Sequence, residues 1–83
     1  DLSSYSNAAV EIVVKDAAAL EEMTARDAEI RDRIVGLLSS RSIEYLSDPT
    51  NRDALKIDLA AAIGALFEEG VVKSVLLPQF VIQ

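Results

Sequence analysis

The segment Ala9–Lys15 reads AVEIVVK and gives the clearest strand signal in the sequence. Its large apolar residues Val10, Ile12 and Val14 occupy alternate positions. Successive side chains of a strand point to opposite faces and β-branched residues favour strands, so the pattern predicts a strand with one buried face. Residues 1–8 are rich in Ser and Asn, and we expect them to form a flexible arm or an approach to this strand.

The end of the chain gives the second strand signal. Val71–Leu77 and Gln79–Gln83 are rich in apolar residues, and Pro78 between them removes one backbone donor, which indicates a sheet edge or a bulge. We expect this tail to pair with the strand at Val10–Val14. Two strands alone are marginally stable in water, so either a further strand near the start of the chain or one from another copy is needed.

Helical signals begin directly after the first strand. Asp16 can cap a short helix over Ala17–Met23, and Thr24 stands three residues before Asp27, the spacing of a capping box. In an unbroken helix Asp27 would fall within the apolar stripe of the segment that follows. We therefore expect a kink or break at residues 24–27.

A second helix follows this break and should end at the Ser39-Ser40 pair. Arg31 lies four residues after Asp27 and can pair with it. The apolar residues recur at i, i+4, i+7 and i+8, and they are Ile30, Ile34, Leu37 and Leu38.

The longest helix is predicted over Pro49–Glu69, after one or two helical turns in the segment RSIEYLS. Asp48 suits its N-cap and Pro49 its first position, and Gly70 suits a left-handed C-cap. At 100° per residue one apolar stripe contains Leu55, Leu59, Ile63, Leu66 and Phe67. A second apolar face, opposite to it, contains Ile57, Ala60, Ala61 and Gly64.

A helix that is apolar on both sides must be covered on both. The second apolar face either packs inside the same domain, as most apolar helical surface does, or contacts a neighbouring molecule that its small residues allow to approach closely. We predict Ile57, Ala60, Ala61 and Gly64 as an oligomer or partner interface.

These elements predict an α+β fold in the order β-α-α-β, with two main helices packed on one face of a small sheet. The 83 residues are enough for one domain, 1–83, near the size at which a single core is only just sufficient. With 51% hydrophobic residues the chain should fold. Because the domain is so small, we expect that a neighbouring copy or partner can add to its stability.

The net charge and the lengths of the apolar runs disfavour binding to nucleic acid and a membrane-spanning segment in these residues. The net charge is −6, from fourteen acidic and eight basic residues spread along the chain, which disfavours binding to nucleic acid. The longest apolar run, Leu59 to Phe67, is far shorter than the roughly 20 residues that span a bilayer. The chain starts with Asp1, so we expect a piece of a longer protein whose membrane anchor, if present, is not in this chain.

Residues typical of active sites are scarce. Histidine and cysteine are absent, so the usual general bases, thiol nucleophiles and zinc ligands are missing. The serines at 39, 40 and 42 suit helix ends better than catalysis. Asp48, Thr50 and Arg52 occupy the first three ligand positions of a calcium-binding loop, but an arginine cannot be a calcium ligand. The adjacent pairs Glu21-Glu22 and Glu68-Glu69 suit solvated surface. We expect no catalytic, cofactor or metal site, and no enzyme.

Several short motifs of the sequence, taken in their order, resemble the periplasmic domain of the flagellar basal-body-associated FliL family. The resemblance is densest over RDAEIRDRIVGLLSSRSIEYLSDPTNRDALKIDL, residues 26–59, and over residues 72–83. It rests on an Ile-Arg-Asp triplet at Ile30–Asp32, Leu-Leu-Ser-Ser at Leu37–Ser40, an acidic residue and Leu before a Pro turn, and a final Phe-Val-x-Gln. Asn51 and Gly64 depart from the residues usual in the family.

The resemblance implies a stomatin/prohibitin-like α+β domain held on the periplasmic side of the inner membrane by a transmembrane helix. It further implies a non-enzymatic role at the flagellar basal body, where a ring of copies would surround the periplasmic plug and linker region of the ion-driven stator proteins. The alternative function is a small regulatory domain that binds a metabolite between helices and sheet. That alternative needs a Gly-rich or polar strand-to-helix junction, which VVKDAAAL does not offer.

Overall fold

A three-stranded antiparallel sheet organises the fold in the computed structural model, which describes residues 2–78. The strands are β1 (Ser3–Asn7), β2 (Val10–Val14) and β3 (Val72–Leu76), and they lie side by side in the order β1-β2-β3. The helices between β2 and β3 are α1 (Ala17–Ala25), α2 (Asp27–Ser39), α3 (Ile43–Ser47) and α4 (Arg52–Gly64), with a single 3-10 turn at Pro49–Asn51.

The prediction of a flexible arm is wrong for most of residues 1–8, because β1 lies there and pairs with β2 from Ser3↔Val14 to Asn7↔Val10. Two consecutive residues with positive φ, Ala8 at 50° and Ala9 at 66°, form the hairpin turn. Such turns usually carry Asn and Gly, so two alanines give no signal for a hairpin in the sequence. The predicted β-α-α-β order is accordingly incomplete: two strands precede the helices.

The pairing predicted for the strand at Val71–Leu77 is confirmed over β3. Ile12 pairs with Val75 and Glu11 with Leu76, and the register shifts between Val13 and Val14. The predicted strand at Gln79–Gln83 lies outside the described residues.

The predicted break between the first two helices is confirmed at Arg26, which separates α1 from α2. The predicted cap of α1 is also confirmed, because the Asp16 carboxylate accepts a hydrogen bond from the Ala19 N–H at 2.8 Å. The capping box is wrong. The Thr24 hydroxyl donates instead to the Leu20 carbonyl at 2.9 Å, and the carboxylate of Asp27 points to β1.

The long helix starts near its predicted position but ends earlier. Asp48 accepts from the Thr50 N–H at 2.9 Å and opens the 3-10 turn, whereas α4 stops at Gly64 rather than Glu69. The Leu66 and Phe67 N–H groups bond three residues back, so the helix tightens and ends. Gly70, with φ of 89°, lies instead in a separate turn closed by the Val71 N–H to Glu68 carbonyl bond of 3.2 Å.

Arg26 contacts the segment that follows the end of α4. Its guanidinium donates to the carbonyl of Leu66 and lies 4.9 Å from the centre of the Phe67 ring. These two contacts hold the turn that follows α4 against the junction between α1 and α2.

The core lies between one face of the sheet and the helices. Alternate residues of β2 are buried, as predicted, and the predicted stripes of α2 and α4 are buried at Ile30, Ile34, Leu55, Leu59 and Ile63. Leu66 and Phe67 follow the end of α4 and are only partly buried. Among residues 2–78 the remaining buried apolar residues are Tyr5, Ala19, Met23, Val71, Val75 and Leu77.

None of the helices within residues 2–78 combines the length and the apolar character needed to cross a lipid bilayer.

Candidate interaction surface

The second apolar face of α4 points away from the core. Ile57 keeps 69% of its surface exposed and Ala61 is exposed, while Ala60 and Gly64 are half-buried. Within residues 2–78 no other element covers Ile57. The interpretation that this face packs inside the domain therefore fails for its largest residue.

An open groove runs between this face and β3. Its volume is about 450 Å³. The α4 residues that line it recur at i, i+3, i+4 and i+7, the spacing of one helical face, because α4 packs along β3. The groove is lined by Asp53, Lys56, Ile57 and Ala60 from α4 and by Lys73, Ser74 and Val75 from β3. Two of the four predicted interface residues, Ile57 and Ala60, thus come together with a strand that sequence reasoning did not connect to them.

The groove is locally basic in an acidic chain. It contains two of the three lysines, Lys56 and Lys73, while the whole chain carries −6. Lys56 lies 3.5 Å from the carboxylate of Asp53, which is 92% exposed. Lys56 is half-buried and paired with this carboxylate, whereas Lys73 is exposed. A pair this open to solvent contributes little to stability.

The groove adjoins an edge of the sheet. Within the described residues β3 pairs with β2 alone, and β1 at the opposite edge also pairs with β2 alone. An edge strand presents unpaired backbone N–H and C=O groups on which another strand can add. Ile57 and Ala60 therefore border a place where a neighbouring chain could make backbone hydrogen bonds as well as side-chain contacts.

A polar cluster joins β1 to the start of α2. The Tyr5 hydroxyl donates to Asp27, and the Asn7 amide donates to the Tyr5 hydroxyl at 3.0 Å and to Asp27 at 3.1 and 3.2 Å. Arg31 donates to the Asn7 side-chain oxygen at 3.1 Å. Burial, and then the hydrogen bond with Asp27, raise the pKa of Tyr5 above its ordinary value.

The role of this cluster is structural. Asn7 is buried and both ends of its amide are bonded, so it fixes β1 against α2 rather than offering a free group to a ligand. The predicted pairing of Asp27 with Arg31 is confirmed at 3.8 Å. Sequence reasoning missed Tyr5 and Asn7, whose i, i+2 spacing in a Ser-rich segment was the one available signal of a strand with a buried face.

Two of the serines and Asp48, which were examined as possible catalytic or metal-binding residues, make hydrogen bonds at helix ends. The Ser42 hydroxyl accepts from the Tyr45 N–H at 3.0 Å and caps α3, and the Ser40 hydroxyl donates to the Leu37 carbonyl at 2.7 Å. Hydrogen bonds from the backbone and hydroxyl of Thr50 lower the pKa of Asp48. Among residues 2–78 no three acidic side chains gather as metal ligands would.

Comparison with known proteins gives a consistent family match. The family model described as flagellar basal body-associated protein FliL matches residues 1–83. A flagellar protein FliL of Aquifex aeolicus (strain VF5) is 29% identical over 79 residues, which cover 95% of this chain and 49% of that protein. The chain thus spans about half the length of the curated relative that it matches. The resemblance to the FliL family that the sequence motifs of residues 26–59 and 72–83 indicated is confirmed.

Proposed function

The chain belongs to the FliL family of flagellar basal-body-associated proteins, and from this membership we propose that it is a non-enzymatic accessory domain that supports the ion-driven stator of the flagellar motor. The family match over residues 1–83 is the observation that carries the proposal. The family is one of flagellar structural or accessory proteins, which gives the general role. The contact with the stator is our extension of it.

The proposed setting is the periplasmic side of the inner membrane. There, a segment outside this chain would tether the domain, and copies would assemble in a ring around the plug and linker region of the stator proteins. Tethering raises effective concentration, so contacts too weak to hold free molecules together can hold tethered ones. A small domain with an exposed apolar face beside an edge strand of the described sheet suits this type of assembly.

The face formed by Ile57, Ala60, Ala61 and Gly64 is the proposed contact. The 69% exposure of Ile57 and the groove beside it support this assignment. An exposed apolar side chain gains by burial against a neighbour, and flanking small residues let the neighbour approach the helix backbone.

The alternative of a metabolite-binding regulatory domain is less well supported. Family membership favours an accessory role, and the groove lies beside a sheet edge of the described residues, which suits a protein neighbour.

Motility of a strain that carries the gene tests the proposal. Deleting the gene should reduce swimming speed and the number of stator units per motor, counted with a fluorescent stator protein. The complete wild-type gene should restore both. If the deleted strain swims normally under high viscous load and keeps its full number of stators, the proposed support of the stator is wrong.

A further inference from the structure

We propose that a pocket at the β1–β2 hairpin binds a basic side chain, lysine or arginine, of another protein. This hairpin pocket is lined by Ser6, Ala9, Val10, Glu11 and Pro78, and it shares no lining residue with the groove between α4 and β3. The inference goes beyond the proposed function, because it assigns a second contact site in a different part of the fold.

The hairpin pocket opens on the face of the sheet that points away from the helices. Alternate residues of β2 are buried against the helices, so Glu11 between them points to the opposite face. Glu11 pairs with Ser6 on one side and with Leu76 on the other, and both neighbours are exposed. A ligand can therefore reach Glu11 from solvent without displacing a helix.

The size and lining of the pocket suit one long side chain with a charged end. Its volume is about 350 Å³, near the lower end of the roughly 300–1,000 Å³ of ligand pockets. Ala9 and Pro78 give it apolar walls, whereas the Ser6 hydroxyl and the Glu11 carboxylate are polar. Lysine and arginine combine an apolar stem with a cationic end, so both parts of either side chain meet a matching surface.

Glu11 is a half-buried carboxylate that has no partner in the described part of the chain. The ion pairs and side-chain hydrogen bonds among residues 2–78 do not include it. The basic residue on the same face of β2 is Lys15, four positions further, which corresponds to roughly 13 Å along a strand. A carboxylate partly withdrawn from water gains from a cation brought close to it. Glu11 is therefore the group that selects a basic ligand.

The hairpin turn keeps an apolar wall beside this carboxylate. Ala8 and Ala9 have φ values of 50° and 66°, a region in which an L side chain is strained. The residues usual in such a turn are Asn, Asp and Gly, and Asn or Asp at position 9 would make the wall polar. Alanine thus retains, despite the strain, a wall that suits the methylene stem of a basic side chain.

The charge of the chain favours another protein over a second copy as the source of this side chain. The net charge is −6, so two copies repel each other on average, whereas a basic segment of another protein is attracted. All five arginines of the chain interact within the domain itself. They are therefore poorly placed to serve as ligands for a second copy.

Titration followed by nuclear magnetic resonance tests the binding. The probes are the capped tripeptides glycyl-lysyl-glycine and glycyl-arginyl-glycine, and the control peptide carries norleucine, which has no charge. We expect saturable shifts of the amide signals of Ser6, Ala9 and Glu11 with at least one basic peptide at millimolar concentration, and weaker binding as salt screens the attraction. A failure of both basic peptides to saturate, or equal binding of the norleucine peptide, would overturn the proposal.

Removing the charge of Glu11 tests the selecting group. Glu11→Gln keeps the shape of the side chain and should weaken binding of the basic peptide by about tenfold or more. Glu44→Gln removes one charge from exposed α3, outside the pocket, and should leave binding unchanged. Thermal melts of both variants check that the fold is kept. Equal affinity of the two variants would show that the carboxylate does not select the ligand, and the proposal would be wrong.

Ser6→Lys supplies the proposed ligand from within the chain. Ser6 lies directly opposite Glu11, and cross-strand pairs of opposite charge are stabilising. This variant should therefore melt at a higher temperature than the wild type and lose its affinity for the basic peptide. Ser39→Lys adds the same charge at the exposed end of α2 and should do neither. Peptide binding by Ser6→Lys at wild-type affinity would contradict the assignment of the pocket.

Two further measurements identify other occupants. Butylamine carries the lysine side chain without a peptide and should bind more weakly than the lysine peptide, so equal binding would assign the pocket to a free amine. Association of wild-type copies in sedimentation that Glu11→Gln abolishes would assign it to a second copy. Either result would overturn the assignment to another protein. These measurements involve no stator protein, so their failure leaves the proposed function intact, and normal motility after gene deletion leaves this site intact.

Discussion

Asp27 shows how one residue can serve a partner that is distant in sequence. Its position in the helical repeat of α2 is one where an apolar residue is expected, and its spacing from Thr24 predicted a capping box. Its carboxylate instead accepts from Tyr5 and Asn7 on β1, and Arg31 lies 3.8 Å away. The residue is therefore polar because a strand 20 residues earlier presents polar side chains to it.

Replacing the buried amide of this cluster should destabilise the domain. In Asn7→Ala the Tyr5 hydroxyl, Asp27 and Arg31 each lose a hydrogen-bond partner, at a cost of about 1–3 kcal/mol in the free energy of unfolding. Urea denaturation measures the difference. The matched variant Ser6→Ala, at the exposed neighbouring position, should change stability by no more than about 0.5 kcal/mol. Equal effects of the two variants would show that the cluster does not contribute.

Tyr5 should also make stability sensitive to alkaline pH. Burial and the hydrogen bond with Asp27 raise its pKa, so the fold stabilises the neutral phenol. This contribution is complete below the unfolded pKa of about 10 and is lost as pH rises through the higher folded-state value. Urea midpoints between pH 8 and 11 should fall more for the wild type than for Tyr5→Phe, which cannot ionise. Parallel curves would contradict this account.

The helix ends and turns determine how the elements connect. α4 ends at Gly64, where the following N–H groups bond three residues back, and Arg26 holds the Leu66 carbonyl in the turn that follows. Gly70 then adopts the left-handed conformation that starts β3 in the right direction. These short segments, rather than the long helix itself, align β3 with β2.

Two glycines should therefore respond oppositely to alanine. Gly70→Ala forces an L side chain to a φ of 89° and should cost roughly 1–2 kcal/mol, although no atom obstructs the new methyl group. Gly36→Ala, in exposed and unobstructed α2, should stabilise by about 0.5–1 kcal/mol. Thermal melts of both variants check the signs. A neutral Gly70→Ala would mean that the turn can relax.

The two sides of α4 should differ sharply in their tolerance of truncation. Leu59 is fully buried, so Leu59→Ala should cost about 2–5 kcal/mol. Ile57 is mostly exposed, so Ile57→Ala should change the stability of the monomer by no more than about 0.5 kcal/mol. Denaturant titrations at low protein concentration compare them. A large loss for Ile57→Ala in the monomer would place that side chain in the core after all.

The elements that sequence reasoning predicted are those whose signals are local. β2, the break at Arg26, the cap at Asp16 and the buried stripe of α4 follow from spacing and capping residues a few positions apart. β1 and the end of α4 could not be predicted in this way. β1 is held through Tyr5 and Asn7 because α2 offers Asp27. The turn after α4 is held by Arg26, which lies 40 residues before Leu66.

The candidate surface was likewise predictable where it depends on local spacing and unpredictable where it depends on long-range packing. The helix repeat predicted that Ile57 and Ala60 share a face, but the lysine and backbone of β3 beside them depend on long-range packing.

The whole domain should tolerate a charge on the second apolar face as a monomer but not as an assembly. Ala61 is exposed, so Ala61→Glu should leave the melting temperature of the monomer nearly unchanged. At the proposed contact the same carboxylate would be desolvated, and association should weaken. Light scattering at high concentration and swimming of the complemented strain measure this effect. A strongly lowered melting temperature would show that the face is internal to the domain.

The position of β2 between its partners also has a consequence in time. Its hairpin with β1 closes over a two-residue turn, but Ile12 meets Val75 only after 63 further residues have been made. Pairing at such a distance in the chain is slow, and until it occurs β2 keeps one side open beside its hydrophobic residues. As the chain emerges from the ribosome, the hairpin and helices can therefore form early but cannot complete the sheet. Until β3 is made, the nascent chain therefore exposes an unpaired strand edge, which is a state prone to aggregation.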